Sequence, residues 1–362
     1  MTRAAGGDEL SRRQMLGLVG AGVVGVATGG TVAWRLSRSG DPVSVTSSPS
    51  TTTSTSTTAA TDEPGPAADT TTTTEAGPRR FEPYQAIDDE VFVEAKLTGV
   101  RVVEALMTYQ AATEPGAPVE AALELAVDDL RPVDLLAATE VLFVAGSESA
   151  ARVVYPQLGG LHPHRNPTSA SIMVVVDQHL WRDQVTTVVS RCVDVRVVLD
   201  GLRWRLAGIE DTSGQPVPAP SELSPDALRV LDHDHIQMAD SVRWDIHEGI
   251  VDDRLLAEMA DLADRTPIAV SSCMRGHPVR VFGTSGLSAH GVGRAVDIWS
   301  VGDVPVVQQR RDTDSVAHAV CQDLYDTARI DRLGAPWAFD PVGGWSWTDP
   351  VHQDHLHLGI SA

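Results

Sequence analysis

Two short segments near the C-terminal end constrain this chain more than anything else in it: Ser288-Ala-His290-Gly-Val-Gly293-Arg-Ala295-Val-Asp297 and His352-Gln-Asp354-His355-Leu-His357. A histidine, a carboxylate six intervening residues later and a distant histidine make up a set of nitrogen and oxygen donors. Three such donors leave zinc a fourth position for water, which separates a catalytic from a structural site. A fold for this chain has to bring His290, Asp297 and His357 to one point.

Local patterns suggest how. Ile268-Ala-Val-Ser-Ser272 and Val296-Asp297-Ile298-Trp299 are short, apolar, β-prone runs, and His355-Leu356-His357-Leu358-Gly-Ile360 alternates imidazole with aliphatic side chains. On a strand, residues two apart share a face, so His355 and His357 are expected to face the site while Leu356 and Leu358 enter the core. Leu255, Met259 and Leu262 mark a helix over Asp252 to Asp264, and Val316, Val320 and Leu324 another over Asp312 to Ile330. Both would back a small sheet carrying the donors. Asp354, three residues before His357, is placed to take a proton from the attacking water, with His355 as an auxiliary group.

These segments resemble the D-Ala-D-Ala carboxypeptidase family of zinc peptidases, the VanY-like group that includes phage L-alanyl-D-glutamate endopeptidases. Its signature S-x-H-x-x-G-x-A-x-D is met by Ser288, His290, Gly293, Ala295 and Asp297, and its carboxylate three residues before the third ligand by Asp354 and His357. The resemblance covers residues 250 to 362 or so. It implies a hedgehog/DD-peptidase-like domain with a small antiparallel sheet, Zn2+ held by His290, Asp297 and His357, and Asp354 as general base. It also implies peptidoglycan stem peptides as substrate, with a D-alanyl-D-alanine carboxypeptidase as the leading reading. Ser272-Cys273-Met274-Arg275 stands where the family has S-G-Y-R, so Arg275 inherits oxyanion stabilisation or substrate binding. Arg280 is a second guanidinium for that job, and Ser288 belongs to the same pocket. Cys-Met in place of Gly-Tyr keeps a non-catalytic zinc-containing wall-binding module open as an alternative, and a peptidoglycan endopeptidase stays open because the bond cut depends on how long and open the cleft is.

The N-terminus points to export. Ser11-Arg12-Arg13-Gln14-Met15-Leu16 is a twin-arginine pattern, and residues 15–34 follow it without a charge. Such a run also reaches across a ~30 Å hydrocarbon core at ~1.5 Å per residue, so residues 1–42 read as a signal or as a single membrane anchor. In both cases the body is expected outside the cytoplasm, extracellular or in the cell envelope. Residues 43–78 collapse to Ser, Thr, Ala and Pro and read as a disordered tether.

The remainder is expected to be α+β, with an accessory domain at 79–215, a Pro- and Ser-rich hinge at 216–225 and the peptidase domain at 226–362. In the accessory part Val91 to Ala95 starts a strand or helix, and Val119 to Leu130 and Leu135 to Phe143 read as helical. Four strand-like runs follow: Ala170 to Val176, Thr187 to Ser190, Val193 to Leu199 and Trp204 to Ile209. Helices before a curved antiparallel sheet look like a nuclear-transport-factor-like domain, and no motif there names a partner. His162, His164, Asp177 and His179 lack metal spacing and read as surface groups, as do His233 and His235.

Cys192, Cys273 and Cys321 have no C-x-x-C spacing, which argues against a thiolate zinc cluster and leaves a Cys273–Cys321 bridge as one option. A formal charge of −21, from 28 basic and 49 acidic residues, makes nucleic acid a poor partner.

Overall fold

Ala170-Ser-Ile-Met-Val-Val-Val176 is apolar without alternation, and such a run belongs to a strand covered on both faces. In the computed structural model, which describes residues 79–362, it forms the centre of β2 (Ser169–Arg182) in a four-stranded antiparallel sheet. The sheet is completed by β1 (Glu148–His162), β3 (Val185–Asp200) and β4 (Arg203–Asp211), in the order β1-β2-β3-β4. Ile172, Val174 and Val176 pack with Val102, Val103 and Leu106 of α1 (Val93–Met107). Met173 and Val175 point the other way, onto Cys192 and Ala239. The second face therefore meets the C-terminal half.

Several expectations change here. Thr187–Ser190 and Val193–Leu199 are one continuous strand. The helical run from Val119 stops early, in α2 (Ala117–Leu123), and the chain then turns so that Ala126 bridges to Leu206. α3 (Pro132–Thr139) is followed by a 3-10 turn at Glu140–Leu142. β1 had no visible signal, because its pairing with β2 shifts register at Val153/Tyr155 and Leu158/Gly160 and it contains Pro156. A proline without an N–H is tolerated on an edge strand, and bulges erase the period-two pattern. His179 is buried, with its ring 4.7 Å from that of Phe81.

The second sheet runs β10 (Ser346–Trp347), β9 (Arg332–Gly334), β11 (Leu356–Gly359), β7 (Ala295–Val301), β6 (Ile268–Ser272), β5 (Ile236–Met238), with β8 (Val304–Pro305) added to β7. It is mixed rather than antiparallel throughout, since β5 pairs with β6 and β10 with β9 in parallel. α6 (Asp253–Ala263), after α4 (Pro225–Leu231) and α5 (Asp240–His247), is capped by the Asp252 side chain. After α7 (Val306–Gln309), α8 (Val316–Thr327) is capped by Ser315 and ends at Ala328 in the left-handed region. These caps satisfy N–H groups that have no partner inside the helix, which explains where each begins. Leu255, Met259 and Leu262 share one core with Val296, Ile298, Leu356 and Leu358. The opposite face of the sheet is left for polar groups.

Residues 216–225 form an irregular connection that does not hold the two halves apart, and all described residues fall in one compact unit. Ser213 donates to the Cys192 carbonyl at 2.6 Å, and the backbone of Gly276 donates to Asp211 at 3.0 Å. The three cysteines are buried and unpaired, so the Cys273–Cys321 bridge is not formed. The twin-arginine segment, the 15–34 run and the 43–78 tether lie outside the described residues. Among those described, no helix is long and apolar enough to cross a membrane.

Candidate metal centre

Strand register brings the distant donors together. β11 pairs antiparallel with β7 so that His357 stands directly opposite Asp297, and both lie on the face away from the helices. His290 enters from a 3-10 turn at His290–Val292 that closes on Gly293 with φ 68. A Cβ at Gly293 would fall 1.7 Å from the Ile250 carbonyl oxygen, so only glycine fits the turn that aims His290.

Three atoms converge. His290 Nε2 lies 3.1 Å from Asp297 Oδ1 and 3.0 Å from His357 Nδ1, which is 3.1 Å from Asp297 Oδ1. His290 Nδ1 is 2.6 Å from the Cys273 carbonyl oxygen, an acceptor only, so this nitrogen carries the proton. Nε2 is then the nitrogen turned toward the carboxylate oxygen. Such an arrangement could hold a cation between the atoms, and the edge of a tetrahedron with ~2.0–2.1 Å ligand distances is about 3.3 Å. The donors fit a small divalent ion.

His277, which the sequence patterns passed over, belongs to the same group. Its ligand atom and those of His290 and Asp297 all lie within 4.8 Å of one another, and the three could hold a metal ion. The His277 ring stacks on His290 at 3.7 Å, and its Nδ1 donates to the Pro278 carbonyl at 2.8 Å, leaving Nε2 free to donate a lone pair.

Electrostatics prepare these groups for a cation. Burial opposes the charge on Asp297, yet the surrounding imidazoles, His290 first, hold its carboxyl well below the usual range. Burial pushes His357 down to about 4 and, with His290, pushes His277 well below its ordinary value. Protons compete with metal for the same lone pair, so neutral rings are ready ligands. Metal affinity should therefore fall with increasing acidity near pH 4, as His357 protonates. Chelator competition around that pH measures it.

Asp354 is not aimed at the donor triangle. Its Oδ1 is 2.6 Å from His355 Nδ1, and its Oδ2 accepts the Leu158 N–H at 2.9 Å and pairs with Lys96 Nζ at 2.5 Å. His355 instead turns Nε2 toward the site, 3.8 Å from Asp297 Oδ2. Burial disfavours a charged His355, but Asp297 and then Asp354 outweigh it and raise its pKa; for Asp354, Lys96 and His355 outweigh burial and lower it. Lys96 is also 2.5 Å from Glu90 and buried at 1 % exposure. One sequence signal could have found it: Lys96 is the only lysine in the chain, where every other basic side chain is arginine.

The expected substrate groups do not reach the triangle. Arg275 is taken up in ion pairs with Asp245 at 3.1 Å and Glu248 at 2.6 Å. Asp245, fully buried, also accepts the Met274 and Arg275 N–H groups and so anchors the turn that follows β6. Arg280 is exposed and donates to the Ser285 carbonyl within its own loop, and Ser288 is buried with its N–H on the Val279 carbonyl. His277 and His357 side chains are each 11 % exposed against 1–2 % for His290, Asp297 and His355, so the approach lies on their side, beside Trp347 and His352.

Compared with models of known protein families, with curated proteins and with solved structures, the chain finds no match.

Proposed function

We propose that this protein is a zinc-dependent peptidase of peptidoglycan stem peptides, acting as a D-alanyl-D-alanine carboxypeptidase. The observation that carries the reading is the convergence of His290 Nε2, Asp297 Oδ1 and His357 Nδ1 within 3.0–3.1 Å, with the His290 tautomer set for metal. Zinc bound there supplies Lewis acidity, polarising a carbonyl and the attacking water. The protein's part is proton transfer. His355 Nε2 accepts a proton beside the site and returns it to the leaving amine, while Asp354 holds Nδ1 and stabilises the charged ring. Asp354 thus positions His355, and the direct role first expected of Asp354 passes to the histidine. A twin-arginine route would deliver the protein to its polymer.

One observation favours a second reading, a metal module without turnover: Arg275, the expected oxyanion or carboxylate partner, is occupied by Asp245 and Glu248. Mass spectrometry of pentapeptide and cross-linked muropeptides after incubation, with zinc and with a chelator, decides between them. Chelator-sensitive loss of one alanine is the expected result. A cut cross-link would make it an endopeptidase, and no product from folded, zinc-loaded protein would leave the binding module.

A further inference from the structure

The face of the second sheet that carries Ser271, Asp297 and His357 is roofed by β1 of the first. Tyr155 stacks on Trp299 with ring centroids 4.9 Å apart. Two residues on, Gln157 is completely buried and its Nε2 donates to Asp297 Oδ2 at 2.7 Å. Its Oε1 accepts from Ser271 Oγ at 2.6 Å. A carboxylate only accepts, so the amide can face Asp297 in one way alone, and the Ser271 hydroxyl locks that choice. The next residue, Leu158, gives its N–H to Asp354. Adjacent residues of a single strand therefore grip both carboxylates of the site.

The seam is too close for larger residues. A Cβ at Gly160 would lie 2.2 Å from the Phe282 side chain.

Among the described residues, Asp297 Oδ2 has no other hydrogen-bond donor: His277 Nε2 and His355 Nε2 stand 3.7 and 3.8 Å away, beyond hydrogen-bond reach. The geometry points to Gln157 as a positioning residue of the metal site, holding Oδ2 so that Oδ1 alone is presented to the ion. The N-terminal sheet is then the outer shell of the site. This rests on the metal reading above and assigns the accessory half a role that the peptidase motif does not contain.

An outer partner of a metal ligand is worth ~10–100-fold in affinity. Gln157→Met keeps length and removes the donor. It is expected to weaken zinc binding by about that factor in chelator competition on the full chain, and to change the visible spectrum of the cobalt-substituted protein as Asp297 turns. In chelator it should still unfold in one cooperative transition, at a temperature lowered by the loss of two buried hydrogen bonds. Ser271→Ala, a milder change that only frees the amide, should lower affinity several-fold. Either folded variant binding zinc as tightly as wild type, with an unchanged cobalt spectrum, would overturn the proposal. Wild type that binds no zinc would instead remove the metal reading itself.

Discussion

His357→Ala should lose both metal and turnover, whereas His355→Ala should keep the metal and lose turnover. His357 Nδ1 is one corner of a donor triangle with edges of 3.0–3.1 Å, and alanine leaves His290 and Asp297 with only His277 to join them. Zinc affinity should fall by more than the ~10–100-fold that loss of an outer partner costs. His355 lies off the triangle, 3.8 Å from Asp297 Oδ2, with its other nitrogen on Asp354. Removing a positioned proton-transfer group costs ~10²–10⁴-fold in rate. Asp354→Asn should resemble a weaker His355→Ala, because it acts through the histidine. Metal content by atomic emission and turnover on pentapeptide separate the two roles. An inactive His357→Ala that retains full zinc would exclude His357 as a ligand, and an active His355→Ala would exclude it from proton transfer.

Lys96→Met should cost more stability than any other single change at this seam. Its ammonium sits between Glu90 and Asp354, with the Tyr155 ring centroid 4.9 Å away, and all three charged groups are at most 1 % exposed. Methionine fills the volume but leaves Glu90 without a cation and Asp354 with only His355 and the Leu158 N–H. Breaking a buried pair in this manner costs ~3–5 kcal/mol, or a melting temperature lower by roughly 10 °C for a body of this size. Glu90 shows the competition already: burial raises its pKa, and Lys96 offsets only part of that. Adding Glu90→Gln and Asp354→Asn to Lys96→Met should recover much of the loss, because the uncompensated charges are then gone. A single Lys96→Met within about 1 kcal/mol of wild type in chemical denaturation would show that the carboxylates find water instead.

Much of the candidate metal centre was legible because its information is local. Ser288 to Asp297 combines a glycine that only one turn can use with a strand that exposes every second residue, and His355-Leu-His-Leu carries its own two-fold periodicity. The helices at Asp253–Ala263 and Val316–Thr327 were visible for the same reason, as apolar stripes closed by capping side chains. β1 was not, since Pro156 and two register shifts remove the alternation that marks a strand. The pairing of Arg275 was not legible, because an arginine reads the same whether it meets a substrate or Asp245, 30 residues upstream.

By itself, then, the sequence determined the donor types, their strand faces and the helices behind them, all set by backbone periodicity and steric limits within about a dozen residues. Only the tertiary structure decided what completes the centre. Gln157 reaches Asp297 across 140 positions, and Leu158 reaches Asp354 across 196. Lys96 meets the same Asp354 from the first helix of the described chain. No local pattern encodes such pairings. They arise because the first sheet must bury its second apolar face, and the polar face of the second sheet, with its unpaired carboxylates, is where hydrogen bonds and a cation could be supplied from within the fold.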